Sequence, residues 1–180
     1  MFNIRHYGDP VLRKKADRVL VFDDALRDFV KKMIVTMREH DGVGLAAPQV
    51  GRSIQCAIVE PSKETPQTFV LINPEIVSAS KETVENEEGC LSFPDLHLML
   101  TRPKIVSVKA FDENGRKYTI EKAEGLFCRA LQHEIDHLNG LFIIDHISLL
   151  QRKLLKGKLR KISDLQSDET ALRGNTANAV

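Results

Sequence analysis

Residues 125–139 constrain the fold most. Phe127, Leu131, Ile135 and Leu138 recur along one stripe of an amphipathic helix, and Gly140 stands where a cap glycine ends one. The same stretch contains His133-Glu134-Ile135-Asp136-His137. Histidines at i and i+4 lie one turn apart on one helix face, so both imidazoles can reach a single divalent cation. Glu134 then sits beside the metal, placed to handle a proton from bound water. Five residues alone also fit a blander reading, a helix with two polar side chains on its surface.

A catalytic site of this type needs a third protein ligand and an open position. The endopeptidase patterns put that ligand downstream, but position 143 is Ile143, and no Glu occurs between Glu134 and Glu169. Asp145 and His146 are formal candidates close after the helix. The upstream candidate is Cys90, in Glu87-Glu88-Gly89-Cys90-Leu91-Ser92. A thiolate suits Fe(II), Zn(II), Co(II) or Ni(II), and Gly89 gives the backbone freedom to aim it. Cys56, within a strand pattern, and Cys128, on the helix, read as small buried hydrophobes. Three cysteines are too few for a disulfide scaffold and fit a reducing compartment.

The rest of the chain reads as α+β. Residues 23–40 form a helix, with Leu26, Phe29, Val30, Met33, Ile34 and Met37 on its apolar face and Asp23 or Asp24 as cap. Gly42–Gly51, rich in Gly and Pro, excludes a long regular element. Strands are expected at 53–59, at 69–72 with Asn73-Pro74 ending the run, at 76–79, and at 104–111 and 117–120 across a turn at Asp112–Gly115. A third helical pattern runs over 147–163, interrupted by Gly157, and a flexible polar tail follows over 164–180. The expected architecture is mostly antiparallel strands around the HExxH-bearing helix, with an N-terminal and a C-terminal helix, as one domain over 1–163. With 42% hydrophobic and 28% charged residues, the chain is neither disordered nor a coiled coil. No apolar run is long enough to cross a membrane and no secretory signal is visible, so the expected location is the cytoplasm.

Three segments together resemble one family. Gly42-Val43-Gly44-Leu45-Ala46-Ala47-Pro48-Gln49, Glu88-Gly89-Cys90-Leu91-Ser92 and Gln132–Gly140 look like the signature motifs of peptide deformylase, in the right order. His6–Arg13 and Ile72-Asn73-Pro74 also resemble that family, and the match covers roughly 4–163. The resemblance implies hydrolysis of the formyl group from formyl-methionine at the start of nascent polypeptides. It implies Cys90, His133 and His137 as ligands of one divalent metal, with Fe(II) physiological and Zn(II), Ni(II) or Co(II) alternatives. Glu134 becomes the general acid/base, with metal-bound water as nucleophile, and Gln49 and the Leu91 N–H stabilise the oxyanion. Val43, Gly44 and Gly89 become positions that contact an extended peptide. Asp136 is a candidate to orient a neighbouring group, with Arg102 as its partner. One stretch departs from the family: Asp95-Leu96-His97-Leu98-Met99-Leu100, with its unusual apolar run over 96–100, stands where a more polar segment is usual.

Two other readings use the same residues: a zinc endopeptidase, for which Cys90 is dispensable, and a non-catalytic ribosome-binding protein. The second rests on charge. The net charge is only +1, yet residues 147–163 hold Arg152, Lys153, Lys156, Lys158, Arg160 and Lys161 with no Asp or Glu. Such a helix is either a solvated face or a contact to ribosomal RNA. A monomer is expected.

Overall fold

The strand Cys56–Val59 (β2) is apolar at every position because both of its faces are covered. Cys56 and Ile58 point into one buried cluster, and Ala57 and Val59 into another. This alternation recurs in Phe69–Ala79 (β3), where Val70 and Ile72 face the first cluster and Leu71 the second. In this computed structural model the described residues are 1–62, 64 and 66–177, with only the backbone described at 168, 169 and 171–177.

β2 and β3 are the middle of a five-stranded antiparallel sheet. Gly44–Ala46 (β1) forms one edge, followed by β2, β3, Ile105–Phe111 (β6) and Lys117–Glu124 (β7). Thr83–Cys90 (β4) and Phe93–Pro103 (β5) pair separately as a two-stranded ribbon. The helix Asp24–Glu39 (α1) starts at Asp23, whose carboxylate accepts the Leu26 N–H at 2.9 Å, and lays Phe29, Val30, Met33 and Met37 on one sheet face. Gly125–Leu138 (α2) covers the other face with Cys128, Leu131, Ile135 and Leu138. Burying a Leu or Phe of this kind contributes about 1.5–3 kcal/mol.

A third cluster joins the ribbon to the chain ends. Leu12, Phe93, Leu96, Leu100, Phe142 and Ile144 pack with Leu159 and Ile162. Leu159 and Ile162 belong to Lys156–Ala177 (α4), which follows the short helix Leu149–Leu154 (α3). No helix among the described residues is long and apolar enough to cross a membrane.

Helices α1 and α2 match their periodicity closely, but four expectations need correction. First, Asn73-Pro74 does not end a strand. β3 continues to Ala79 through a bulge, with Asn73 at φ +50°. The bulge removes the ladder position at which proline has no N–H to give. Second, the sequence reading assigns no element between residues 80 and 103, where the β4–β5 ribbon lies. Most of β4 is exposed and acidic, so it carries little apolar signal. Third, the C-terminal pattern breaks at Leu155 rather than Gly157, which lies inside α4. Fourth, helix continues past Asp164 to Ala177. Gln166 is buried there, accepts the His6 N–H at 2.6 Å and donates to Asp9 at 3.4 Å. The end of the expected tail, 178–180, lies outside the described residues.

Candidate metal centre

Two elements deliver the three candidate ligands. α2 carries His133 and His137, whose ring centroids lie 4.9 Å apart. Cys90 ends β4, where a register shift between Gly89 and Cys90 turns the ribbon towards α2. Its Sγ lies 3.2 Å from His137 Nε2. The ligand atoms of Cys90, His133 and His137 all fall within 4.8 Å of one another, a spacing that fits one ion. The other two candidates are engaged elsewhere: Asp145 pairs with Arg13 and Arg152, and His146 Nε2 with Asp136 at 2.7 Å.

The electrostatics agree with a ligand set. Burial pushes the Cys90 thiol up, but His137 and His133 beside it win and bring its pKa down to about 5. Burial likewise works against a charge on His133, yet Cys90 and Glu88 hold its pKa well above the usual histidine value. The other two thiols are inert: burial raises Cys56 to about 12 and raises Cys128 as well.

Glu88 lies beneath this centre and was not singled out from the sequence. It is buried, and its Oε2 lies 3.0 Å from His133 Nδ1. That contact leaves Nε2 as the free ring nitrogen of His133. Arg102 holds Glu88 with two bonds of 2.6 and 3.0 Å, and Arg129 adds a third of 2.6 Å. Arg102 also donates to Asp136 at 2.7 Å, the pairing considered from the sequence. Hydrogen bonds to Arg102 and His133 outweigh burial and keep Glu88 ionised far below the ordinary carboxylate range. The available signal was its place two residues before Cys90, but its partners lie far away along the chain.

Glu134 is buried, and its Oε2 has no partner among the described residues. Burial raises its pKa to about 7, the value a group needs to both take and give a proton near neutrality. Its carboxylate lies against Gly44, where a Cβ would come within 2.9 Å of the Glu134 Cδ. Gln49 is not an exposed loop amide but 2% exposed. Its Oε1 accepts the Ala46 N–H at 2.8 Å, which turns Nε2 towards Ser92 Oγ at 3.3 Å and Cys90 Sγ at 3.6 Å.

A cavity of about 890 Å³ opens over these groups, with Val43, Gly44, Gly89 and Leu91 also in its wall. β1 is the sheet edge on one side and β4 belongs to the ribbon on the other, so the cavity runs between two strands with unfilled edges. The Val43 carbonyl already accepts the Glu60 N–H at 2.8 Å, and its side chain packs on the α2 cluster. The apolar stretch after Asp95 is explained by alternation along β5. Leu96 and Leu100 are buried, Met99 is exposed, and the His97 ring covers Gly89 at 3.0 Å from where a Cβ would stand.

A thiolate, two imidazoles and a buried carboxylate of raised pKa in one cleft define a metal-dependent hydrolase. The chain belongs to the polypeptide deformylase family, whose sequence profile matches residues 1–153. It is 47% identical over 163 residues to the peptide deformylase of Thermotoga sp. (strain RQ2), covering 91% of this chain and 97% of that one. Among solved structures it is similar to the peptide deformylase of Thermotoga maritima, with TM-score 0.78 and 46% identity over 82% of this chain and 98% of that one. It is also similar to peptide deformylase 1B of Arabidopsis thaliana, with TM-score 0.87 and 34% identity over 95% and 94% of the two chains.

Proposed function

We propose that the chain hydrolyses the formyl group from the N-terminal formyl-methionine of newly made polypeptides, releasing formate and a free amine. The observation that carries this is the meeting of Cys90, His133 and His137 beside the buried Glu134 carboxylate in a chain of this family. Cys90, His133 and His137 hold one divalent ion, and α2 is the axis around which the antiparallel strands arrange the site. When bound, that ion supplies Lewis acidity towards water and the formyl carbonyl.

The residues divide the remaining work. Glu134 accepts the proton of the attacking water at its unpartnered Oε2 and passes it to the leaving amine nitrogen as the C–N bond breaks. The Gln49 amide N–H and the Leu91 backbone N–H donate to the formyl oxygen as negative charge grows on it. Removing one such donor typically costs about 10²–10³ in turnover. Val43, Gly44 and Gly89 line the strand edges against which an extended peptide lies. Fe(II) is the physiological ion in this reading, with Zn(II), Ni(II) or Co(II) accepted by the same donors. The thiolate then makes the site oxygen-sensitive.

The catalytic unit is one domain over 1–163, working as a cytoplasmic monomer. Its basic segment 147–163 meets ribosomal RNA, which keeps the enzyme near emerging chains. The test is formate release from a formyl-methionyl peptide by protein reconstituted anaerobically with Fe(II) or with Ni(II). Release under either condition supports the reading, and none under both overturns it. Full metal and activity in Cys90→Ala would instead support the endopeptidase arrangement.

A further inference from the structure

His146 follows α2 closely enough to be weighed as a ligand, yet the fold gives its ring another partner. Its Nε2 lies 2.7 Å from Asp136 Oδ2, and the same oxygen accepts from Arg102 Nη1 at 2.7 Å. Arg102 turns its Nε and Nη2 to Glu88 at 2.6 and 3.0 Å, and Glu88 Oε2 meets His133 Nδ1 at 3.0 Å. A chain of contacts therefore runs from a partly exposed histidine to a candidate ligand. Along it the side chains sink from 29% exposed at His146, through 19% at Asp136, to 5% and 4% at Arg102 and Glu88. The links nearest the ligand are thus the least screened by water.

Each link has a definite direction. Burial works against a charge on Asp136, but His146 and Arg102 lower its pKa, so it is ionised and His146 Nε2 carries the proton it donates. The Arg102 guanidinium is planar and rigid, so the pull of Asp136 on Nη1 sets the plane in which Nε and Nη2 meet Glu88. His146 is itself held in place. The turn Ile143–Asp145 before it buries Ile143 and Ile144 in the third cluster, and the His146 N–H donates to the Ile143 carbonyl at 3.3 Å. The Leu141 N–H donates to the Asp136 carbonyl at 2.9 Å, which ties this segment back to α2.

We propose that His146 is a positioning residue for the metal centre, acting through Asp136, Arg102 and Glu88 on the orientation of His133. The inference rests on Cys90, His133 and His137 being the ligands. His146 covers one side of the Asp136 carboxylate. Without it water reaches that oxygen, the carboxylate is free to turn, and Arg102 loses the fixed point against which it holds Glu88. Arg129 limits the damage, because it bonds Glu88 independently at 2.6 Å. Loss of His146 therefore tunes metal affinity and does not abolish it.

The test is competitive chelation of Zn(II) from the full chain, with melting of the metal-free protein measured on the same samples. His146→Ala should bind Zn(II) about two- to fivefold more weakly, a smaller loss than the ~10–100-fold expected for a direct partner of a ligand. His146→Gln, whose amide donates from a similar position, should restore wild-type affinity. In a Glu88→Gln background, His146→Ala should change nothing further, because the link it acts through is already gone. A merely structural His146 would lower the melting temperature and leave the affinity alone. His146→Phe, which keeps a ring without the donor, replaces His146→Ala if that variant does not fold. Wild-type affinity in His146→Ala, no rescue by His146→Gln, or an undiminished effect in the Glu88→Gln background overturns the proposal and leaves the ligands standing. Binding that Cys90→Ala does not weaken would instead overturn the ligand reading, and the proposal with it.

Discussion

At the scale of single residues, the three side chains that could hold a metal ion were named from the sequence, and the carboxylate that orients His133 was not. His133 and His137 declare themselves by spacing within one helix, and Cys90 by the resemblance of Glu88–Ser92 to a family motif, since the residues alone leave Asp145 and His146 open downstream. Glu88 gives no such signal, because it meets His133, Arg102 and Arg129 across sequence separations of 45, 14 and 41. Its removal should be felt at the metal. Glu88→Gln should weaken metal affinity by about 10–100-fold, because His133 loses the carboxylate that fixes its ring. Competitive chelation followed by metal analysis measures this, and unchanged retention would show that Glu88 serves only Arg102 and Arg129. Glu134→Gln should behave in the opposite way. The metal stays, and turnover falls by about 10²–10⁴, the usual range for a lost general acid/base. Formate release at saturating substrate, with metal content measured on the same sample, separates the two variants. Gly44→Ala should also lower turnover, since its Cβ would displace the Glu134 carboxylate while leaving all three ligands intact.

At the scale of elements, periodicity revealed what packs on a core and missed what faces water. α1 and α2 were legible because each lays one stripe on the sheet. β4 escaped notice because its residues up to Glu87 are exposed, so it is defined by its pairing with β5 rather than by a buried face. β3 looked shorter than it is because Asn73-Pro74 resembles a stop. The strand survives there because the Asn73 side chain accepts the Val19 N–H at 2.9 Å and donates to its carbonyl at 2.8 Å. Asn73→Ala loses both bonds and places alanine at φ +50°, so a loss of roughly 2–3 kcal/mol is expected in denaturant unfolding. A second element-level device ties the end of α1 to the sheet. Glu60 is buried and accepts bonds from Arg38 at 2.6 and 3.2 Å and from Thr68. The Arg38 bonds outweigh burial and lower its pKa below 4.5. The stability Glu60 contributes is therefore present above pH about 4.5 and is lost as pH falls through its lowered folded value. Glu60→Gln should be less stable than wild type at pH 7, with the gap narrowing below pH 4.5. A pH series of thermal melts checks this, and a constant gap would exclude the linkage.

At the scale of the whole molecule, the near-zero net charge conceals one strongly basic segment near the C-terminus. Its basic character was legible from sequence. Its structural share was not. Leu159 and Ile162 pack with Leu12, Phe93 and Phe142, and Gln166 holds the backbone of His6, so α4 closes the core as well as carrying charge. These contacts join the two ends of the chain and leave no local pattern to read. They also decide which experiment can isolate the charge. Truncation after Asp145 removes the apolar contacts together with the cations, so loss of ribosome binding in that variant would be ambiguous with loss of folding. Reversing Lys153, Lys156 and Lys161, which are exposed and take part in no ion pair among the described residues, leaves Leu159, Ile162 and Gln166 in place. If the segment meets ribosomal RNA, Lys153→Glu/Lys156→Glu/Lys161→Glu should keep its melting temperature and its formate release from a free peptide. Its sedimentation with ribosomes should fall steeply, and the salt dependence of what remains should flatten, because fewer counterions are released per contact. Unaltered sedimentation across the salt series would leave α4 as a structural clasp, with its lysines merely solvated.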